Sequence, residues 1–496
     1  MKQQYNQVAQ KYKEQYRPQF HFTPEENWMN DPNGMVYFND EYHLFYQHHP
    51  FGTTWGPMHW GHAVSKDLIH WEHLPIALFP DEHGTIFSGS AIVDWNNTSG
   101  FFDDQPGLVA IYTSADNYPD SDRPRQRQSL AYSIDNGRTW VKYEGNPVLS
   151  DVNITDYRDP KVFWHHDTNK WVMVLATEQS VTIYTSPNLI DWEYASEFGN
   201  KAGSHDGVWE CPDLFQLSID DDKSNQKWAM LVSIGDNSEF KEGSRTQYFI
   251  GQFDGTTFVN DNDDDTILWL DYGRDNYAGV TWSDSPDERR IYIGWMSNWR
   301  YANQVPTNEW RSAMTLPREL TMTSTEEGVR LVQKPVSEIN KIRKETNIHK
   351  EIIIDSNNSV FFDLNNKLME IEIEFEQINS SEFDLLIQHS ETEKTIISYD
   401  VRNSSLLVDR TNSGENSFST SFPAVQEAPL KMKNNKVKLQ LFIDTSSIEL
   451  FANDGEIAMT SLIFPSEIGK GLTLVSNGGS TNVSTLKVTE LESIWK

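Results

Sequence analysis

The chain has 496 residues, more than one ordinary core accommodates, which predicts two domains. Lys and Arg number 41 against 73 Asp and Glu; a net charge of −32 repels phosphate backbones and anionic lipid, so neither nucleic acid nor membrane is an expected partner. The one cysteine, Cys211, excludes an internal disulfide and a cysteine-cluster metal site.

Residues 1–19 are polar with spaced Tyr and Val and read as an N-terminal extension, either a short helix or a loose tail. No apolar segment follows Met1-Lys2-Gln3-Gln4, so no signal peptide is expected, and no later run reaches membrane-spanning length. That fits a cytoplasmic protein or the mature form of a secreted one. Asn97, Asn153 and Asn403 open Asn-x-Ser/Thr triplets, meaningful only in a eukaryotic secretory pathway.

Residues 20–335 read as short strands separated by turns. Tyr42–Gln47, Ile86–Val93, Leu108–Ser114, Lys170–Thr177, Val181–Ser186, Trp228–Ile234, Thr246–Phe253 and Ile291–Trp295 all fit, and long amphipathic helical periods are missing. A weak repeat selects a propeller among the all-β architectures. Ser65-Lys66-Asp67-Leu68-Ile69-His70-Trp71 recurs as Ser186-Pro187-Asn188-Leu189-Ile190-Asp191-Trp192, and Ser133–Trp140 is a third version resembling the Asp-box turn of sialidases. The stretch accommodates five blades of roughly 50–60 residues. Residues 336–350 are charged and are expected as a linker with a helical turn or two. Sixteen of the 17 Trp lie at or before Trp310. Clean period-two alternation follows in 351–496, as in Glu370–Glu376 and Lys436–Leu441, with a hairpin turn at Asn453-Asp454-Gly455. A sheet with one wet face predicts a β-sandwich.

Three carboxylate motifs stand out. Asp31 lies in Asn27-Trp28-Met29-Asn30-Asp31-Pro32-Asn33-Gly34, at the mouth of the strand Met35–Phe38. Asp159 lies in Tyr157-Arg158-Asp159-Pro160, before Lys161–Trp164. Glu210 lies in Trp209-Glu210-Cys211-Pro212-Asp213, before Leu214–Leu217. Each joins an acid, a nearby Pro and an adjoining strand. In a propeller, equivalent positions converge on the central funnel, so the three acids are expected in one pocket. Separated carboxylates beside aromatics suit glycoside hydrolysis, in which one acid attacks or activates water and the other protonates the leaving oxygen. Arg158 is expected to hold Asp159 ionised, and Trp28, Trp55 and Trp295 to wall the sugar. Cys211 reads as a packed thiol, with no paired base to make it a nucleophile.

These motifs, with Phe45-Tyr46-Gln47, Trp55–His62, Phe87-Ser88-Gly89-Ser90, Gly294-Trp295-Met296 and Ser447–Phe451, resemble the signatures of the invertase, inulinase and levanase family of glycoside hydrolases. Ser297–Asn303 and Trp310–Leu320 look most like bacterial levanases and fungal exo-inulinases. The resemblance implies an all-β chain, a five-bladed propeller followed by a β-sandwich, and retention by double displacement without metal or cofactor. Asp31 would be the nucleophile, Glu210 the acid/base and Asp159 the transition-state stabiliser. Asn30, Gln47, Trp55, Phe87, Ser88, Arg158 and Trp295 would bind substrate: terminal β-fructofuranosyl units of levan or inulin, fructo-oligosaccharides or sucrose. Retention requires an Asp31–Glu210 separation of about 5–5.5 Å. A monomer or weak dimer is expected.

Two positions depart from the pattern: His48, where an aromatic is usual, and Asp206, in place of a glycine. Asp206 reads as a solvated loop acid, with the sharper alternative that it raises the pKa of Glu210. Rival readings are an inverting pentosidase on the same propeller, a sialidase, an endo-acting levanase, a fructosyltransferase and a non-catalytic fructan-binding protein. Levan against inulin, and exo against endo attack, depend on loop shapes and stay open at this level.

Overall fold

The computed structural model describes residues 11–103, 105–364, 367–467 and 469–495. The first ten residues of the expected N-terminal extension lie outside them. Residues 11–19 are neither helix nor loose tail. They run in turns, with buried Arg17 donating to Thr23 Oγ1 and the Pro24 carbonyl and lying over the Trp310 ring.

Five consecutive groups of antiparallel strands follow. Blade I comprises Asn27–Phe38, Glu41–His49, His59–Ser65 and Trp71–Leu78; blade II comprises Thr85–Asp94, Gly107–Asn117, Pro124–Ser133 and Val141–Lys142. Blade III is Tyr157–His165, Lys170–Thr177, Ser180–Ser186 and Glu193–Phe198, and blade IV is Trp209–Ile219, Asp222–Ile234, Arg245–Phe253 and Phe258–Asn260. Blade V is Tyr277–Thr281, Ile291–Met296, Arg318–Thr325 and Gly328–Pro335. The first strand of each blade packs against that of the next, and blade V returns to blade I, so the sheets close a five-bladed propeller. The seam is short: Asn27 and Trp28 pair in parallel with Trp310 and Arg311, and Val36 bridges Ser283.

The repeated Ser-x-Asp/Asn turns join the third and fourth strands of blades I, II and III. In each, the Ser hydroxyl and the acid or amide two residues on hydrogen-bond each other, and the latter accepts backbone N–H groups of the turn.

All five innermost strands carry the same irregularity. Between Met29 and Pro32, Ile86 and Gly89, Arg158 and Lys161, Glu210 and Asp213, and Tyr277 and Val280, three steps face two on the neighbouring strand. Each is a β-bulge with one extra residue, a device that re-aims side chains. The three acid motifs therefore lie within strands, at these bulges, and not before them as expected.

The stretch 336–350 is not wholly a linker. It holds the 3-10 helix Ser337–Ile342 and most of the strand Arg343–Ile354. That strand is an edge, paired on one side only and largely exposed, so its charged composition imitates a linker. The C-terminal unit is a sandwich of two six-stranded antiparallel sheets. The alternation read from sequence sets its register: Ile371, Ile373 and Phe375 face Leu441, Leu439 and Val437 across the strand pair and are buried between the sheets. Asn453 and Asp454 take positive φ at the hairpin turn.

Propeller and sandwich share buried charges. Glu449 of the sandwich accepts from His21 Nε2 at 2.7 Å, from the Leu316 N–H at 2.7 Å and from Arg318 Nε at 3.2 Å. Asp444 holds His21 Nδ1 at 2.8 Å and the Gln19 and Phe20 N–H groups. Burial pulls His21 down, but the bonds to Asp444 and Glu449 outweigh it and raise its pKa to about 9.

Candidate active site

Asp31 is carried by the bulge of blade I. Its Oδ1 accepts Asn30 Nδ2 at 3.0 Å and its Oδ2 accepts Ser88 Oγ at 2.8 Å. Trp28 Nε1 donates to Asn30 Oδ1 at 2.7 Å, fixing the amide so that its NH₂ faces the acid. Below, Gln47 donates to Asn33 Oδ1 at 2.7 Å and so holds the turn. Gly34 closes it at φ +52°, where a Cβ would meet the Phe45 and Trp60 rings at 2.7 and 2.8 Å.

Asp159, from blade III, has φ +65° and is buried. Its N–H donates to Thr113 Oγ1, and its Oδ2 accepts the Cys211 N–H at 3.0 Å. The Cys211 thiol, from blade IV, lies 3.6 Å from both Asp31 Oδ2 and Asp159 Oδ2. Arg158 bridges two motifs, with Nη2 2.9 Å from Glu210 Oε1 and Nε 3.8 Å from Asp159 Oδ2. Asp156 and Gln126 hold the same guanidinium from behind. Glu210 Oε2 accepts a hydrogen bond from the Tyr277 hydroxyl of blade V. All five inner strands thus contribute to one cluster.

Electrostatics follow from this crowding. Burial first, then the Glu210 charge, raises the pKa of Asp31 to about 6, against the hydrogen bonds of Asn30, Ser88 and Cys211. Burial raises Asp159 as well; Arg158 opposes this, while Glu210 and Asp31 add to it. Arg158 thus pulls towards ionisation, as expected from sequence, without prevailing. Burial and the neighbouring acids push the Cys211 thiol and the Tyr277 phenol far up, so both remain protonated donors.

Asn30, Ser88 and Arg158 touch the acids directly, while Gln47 lies one layer beneath. Phe87 packs edge-on against Trp55 at 6.2 Å, and Trp55 is 47% exposed at the rim. Trp295 and Trp28 do not form the expected walls. Both have no solvent exposure, Trp28 stacked on Trp299 and Trp295 tilted against both, because their strands turn them into the ring's core. Asp206 is exposed and bonded to Ser204, and no contact links it to Glu210, which leaves it the solvated loop acid. His48 is buried, with Nδ1 2.7 Å from the Trp28 carbonyl; burial lowers its pKa to about 4, so the neutral ring donates to that carbonyl. Sequence reasoning missed Tyr277. The five-blade count implies a fifth inner strand after Thr246–Phe253, which would have drawn attention to Tyr277-Ala278-Gly279-Val280.

Acids from separate blades, meeting at the axis of a propeller that carries a sandwich, define a glycoside hydrolase. The chain belongs to family 32 of the glycosyl hydrolases: the family's N-terminal domain matches residues 21–335 and its C-terminal domain residues 338–490. It is 53% identical to a levanase of Bacillus subtilis (strain 168), over 98% of this chain and 72% of that protein. A second levanase, of Bacillus sp. (strain L7), is 39% identical over 98% of this chain, which spans 53% of its length. Among solved structures, the exo-inulinase of Aspergillus awamori superposes with a TM-score of 0.89 at 37% identity, over 98% of this chain and all of that one. A β-fructofuranosidase of Schwanniomyces occidentalis, complexed with fructosyl-erythritol, superposes with a TM-score of 0.88 at 35% identity, over 98% of this chain and 99% of that one.

Proposed function

We propose that the chain is a retaining β-fructofuranosidase that removes terminal fructosyl units from levan- or inulin-type fructans, fructo-oligosaccharides and sucrose. The observation that carries this is the joining of Asp31, Asp159 and Glu210 through Cys211 and Arg158. Asp31 attacks the anomeric carbon of the terminal fructosyl unit. Glu210 protonates the departing oxygen and then takes a proton from water, which releases fructose with retained configuration. Asp159 accepts hydrogen bonds from the ring hydroxyls and opposes the positive charge of the oxocarbenium-like transition state.

Arg158 and Tyr277 converge on Glu210 and orient it for both proton transfers. Asn30 and Ser88 fix the Asp31 carboxylate, leaving little reorganisation for the attack. The names of the relatives, levanase and exo-inulinase, support fructans as substrates and release of single units.

The test is early-time product chromatography on levan, inulin and sucrose, with Asp31→Ala as control. Fructose alone from the fructans, abolished in the variant, is the expected result. Short oligosaccharides would overturn exo attack, and no release from any substrate would overturn the assignment.

A further inference from the structure

Six large aromatic side chains are strongly exposed among the described residues: Phe51, Trp55, Phe79, Trp95, Tyr194 and Phe361. Phe51 at 79% and Phe79 at 54% belong with Trp55 to one rim of blade I, beside the mouth of the active site. They are joined through His59, a mostly buried ring that meets Phe51 edge-on at 5.8 Å and Phe79 edge-on at 5.6 Å. Their exposure is not that of a loose loop. The Trp28 N–H donates to the Gly52 carbonyl, Asn27 Nδ2 to the Pro50 carbonyl, and the Trp55 N–H to Asn303 Oδ1. His49 packs under the same loop so closely that a Cβ at Gly56 would meet its ring at 2.5 Å. Phe79 is fixed from blade II, where Lys142 holds its carbonyl and pairs with Asp81.

A rigid, solvent-facing aromatic group costs little conformational entropy on binding and offers a flat apolar face. The aromatic side is continuous with the pocket through Trp55 and Phe87, and Ser88, next to Phe87, holds Asp31.

We infer that Phe51 and Phe79, spaced by His59, form an aromatic track that holds the fructosyl units beyond the scissile bond of a polymeric substrate. The inference rests on the fructosidase reading of the site. A disaccharide ends before the track, whereas a long fructan leaving the pocket past Trp55 lies along it. The track therefore sets polymer preference without touching the chemistry.

The experiment is steady-state kinetics on sucrose, long-chain inulin and levan, comparing wild type with the double variant Phe51→Ala/Phe79→Ala at matched thermal stability. KM for at least one fructan rises about tenfold at unchanged kcat, while kcat/KM for sucrose stays within about twofold. Phe51→Trp/Phe79→Trp, which keeps the faces, retains the wild-type fructan KM. An unchanged KM on both fructans, or an equal loss on sucrose, overturns the track alone. A wild type that cleaves none of the three substrates overturns the fructosidase reading and the track with it.

Discussion

Ser88→Ala isolates one hydrogen bond on the proposed nucleophile. The Ser88 hydroxyl donates to Asp31 Oδ2 at 2.8 Å, and this favours the ionised carboxylate, whose pKa burial and Glu210 have already raised to about 6. A hydrogen bond to a charged group contributes about 1.5–3 kcal/mol, and one pKa unit corresponds to about 1.4 kcal/mol. Complete loss would raise Asp31 by roughly one to two units. Asp31 keeps the Asn30 bond and some solvent access, so a water replaces part of what is lost, and about one unit is the expected shift. The assay is the pH dependence of kcat/KM on sucrose, which reports the free enzyme. The acidic limb moves upward, by up to about one unit, while Ser88→Thr, which keeps a hydroxyl, leaves it in place. Asp159 is also raised but makes no hydrogen bond to Ser88. An unmoved limb would therefore refute Asp31 as the group controlling it.

Tyr277→Phe removes the hydroxyl from Glu210 Oε2 and should lower kcat/KM by about ten- to a hundredfold with little change in thermal stability; a loss below about twofold would remove Tyr277 from the mechanism. Trp295→Ala empties a fully buried site and should cost about 3–5 kcal/mol in denaturant unfolding, whereas Trp55→Ala should leave stability unchanged and impair turnover. Equal stability losses would contradict the burial difference. His21 has its pKa raised from 6.5 to about 9 in the folded state, so its stabilisation, on the order of 3 kcal/mol, is full below pH 6.5 and lost as pH rises through 9. The Tm gap between wild type and His21→Ala should narrow above pH 9, and a constant gap would assign the effect to packing.

The propeller and the convergence of three acids were legible because each acid sits in local chemistry that sequence displays. Asn-Asp-Pro-Asn-Gly, Arg-Asp-Pro and Glu-Cys-Pro all mark irregular backbone next to a strand. That the irregularity is a bulge inside the strand was not legible, since a bulge is defined by its partner's register. The Trp residues were read by type, and type does not say which face of a strand points into the ring: Trp55 is on a loop and exposed, Trp295 on a strand and buried. Arg343–Ile354 was hidden by the polarity that suits an unprotected edge. Tyr277 lies in a short strand with no acid of its own, and its role exists only across the funnel.

The seam of the propeller has a mechanical consequence. Blades I and V meet along the very strand that carries Asp31, through only a few backbone bonds at either end. Glu449 grips His21, just before blade I, and also Leu316 and Arg318 at blade V. The sandwich is thus the clasp of an open bracelet. Trimming it away would leave the seam beside Asp31 without the one carboxylate that holds both of its sides.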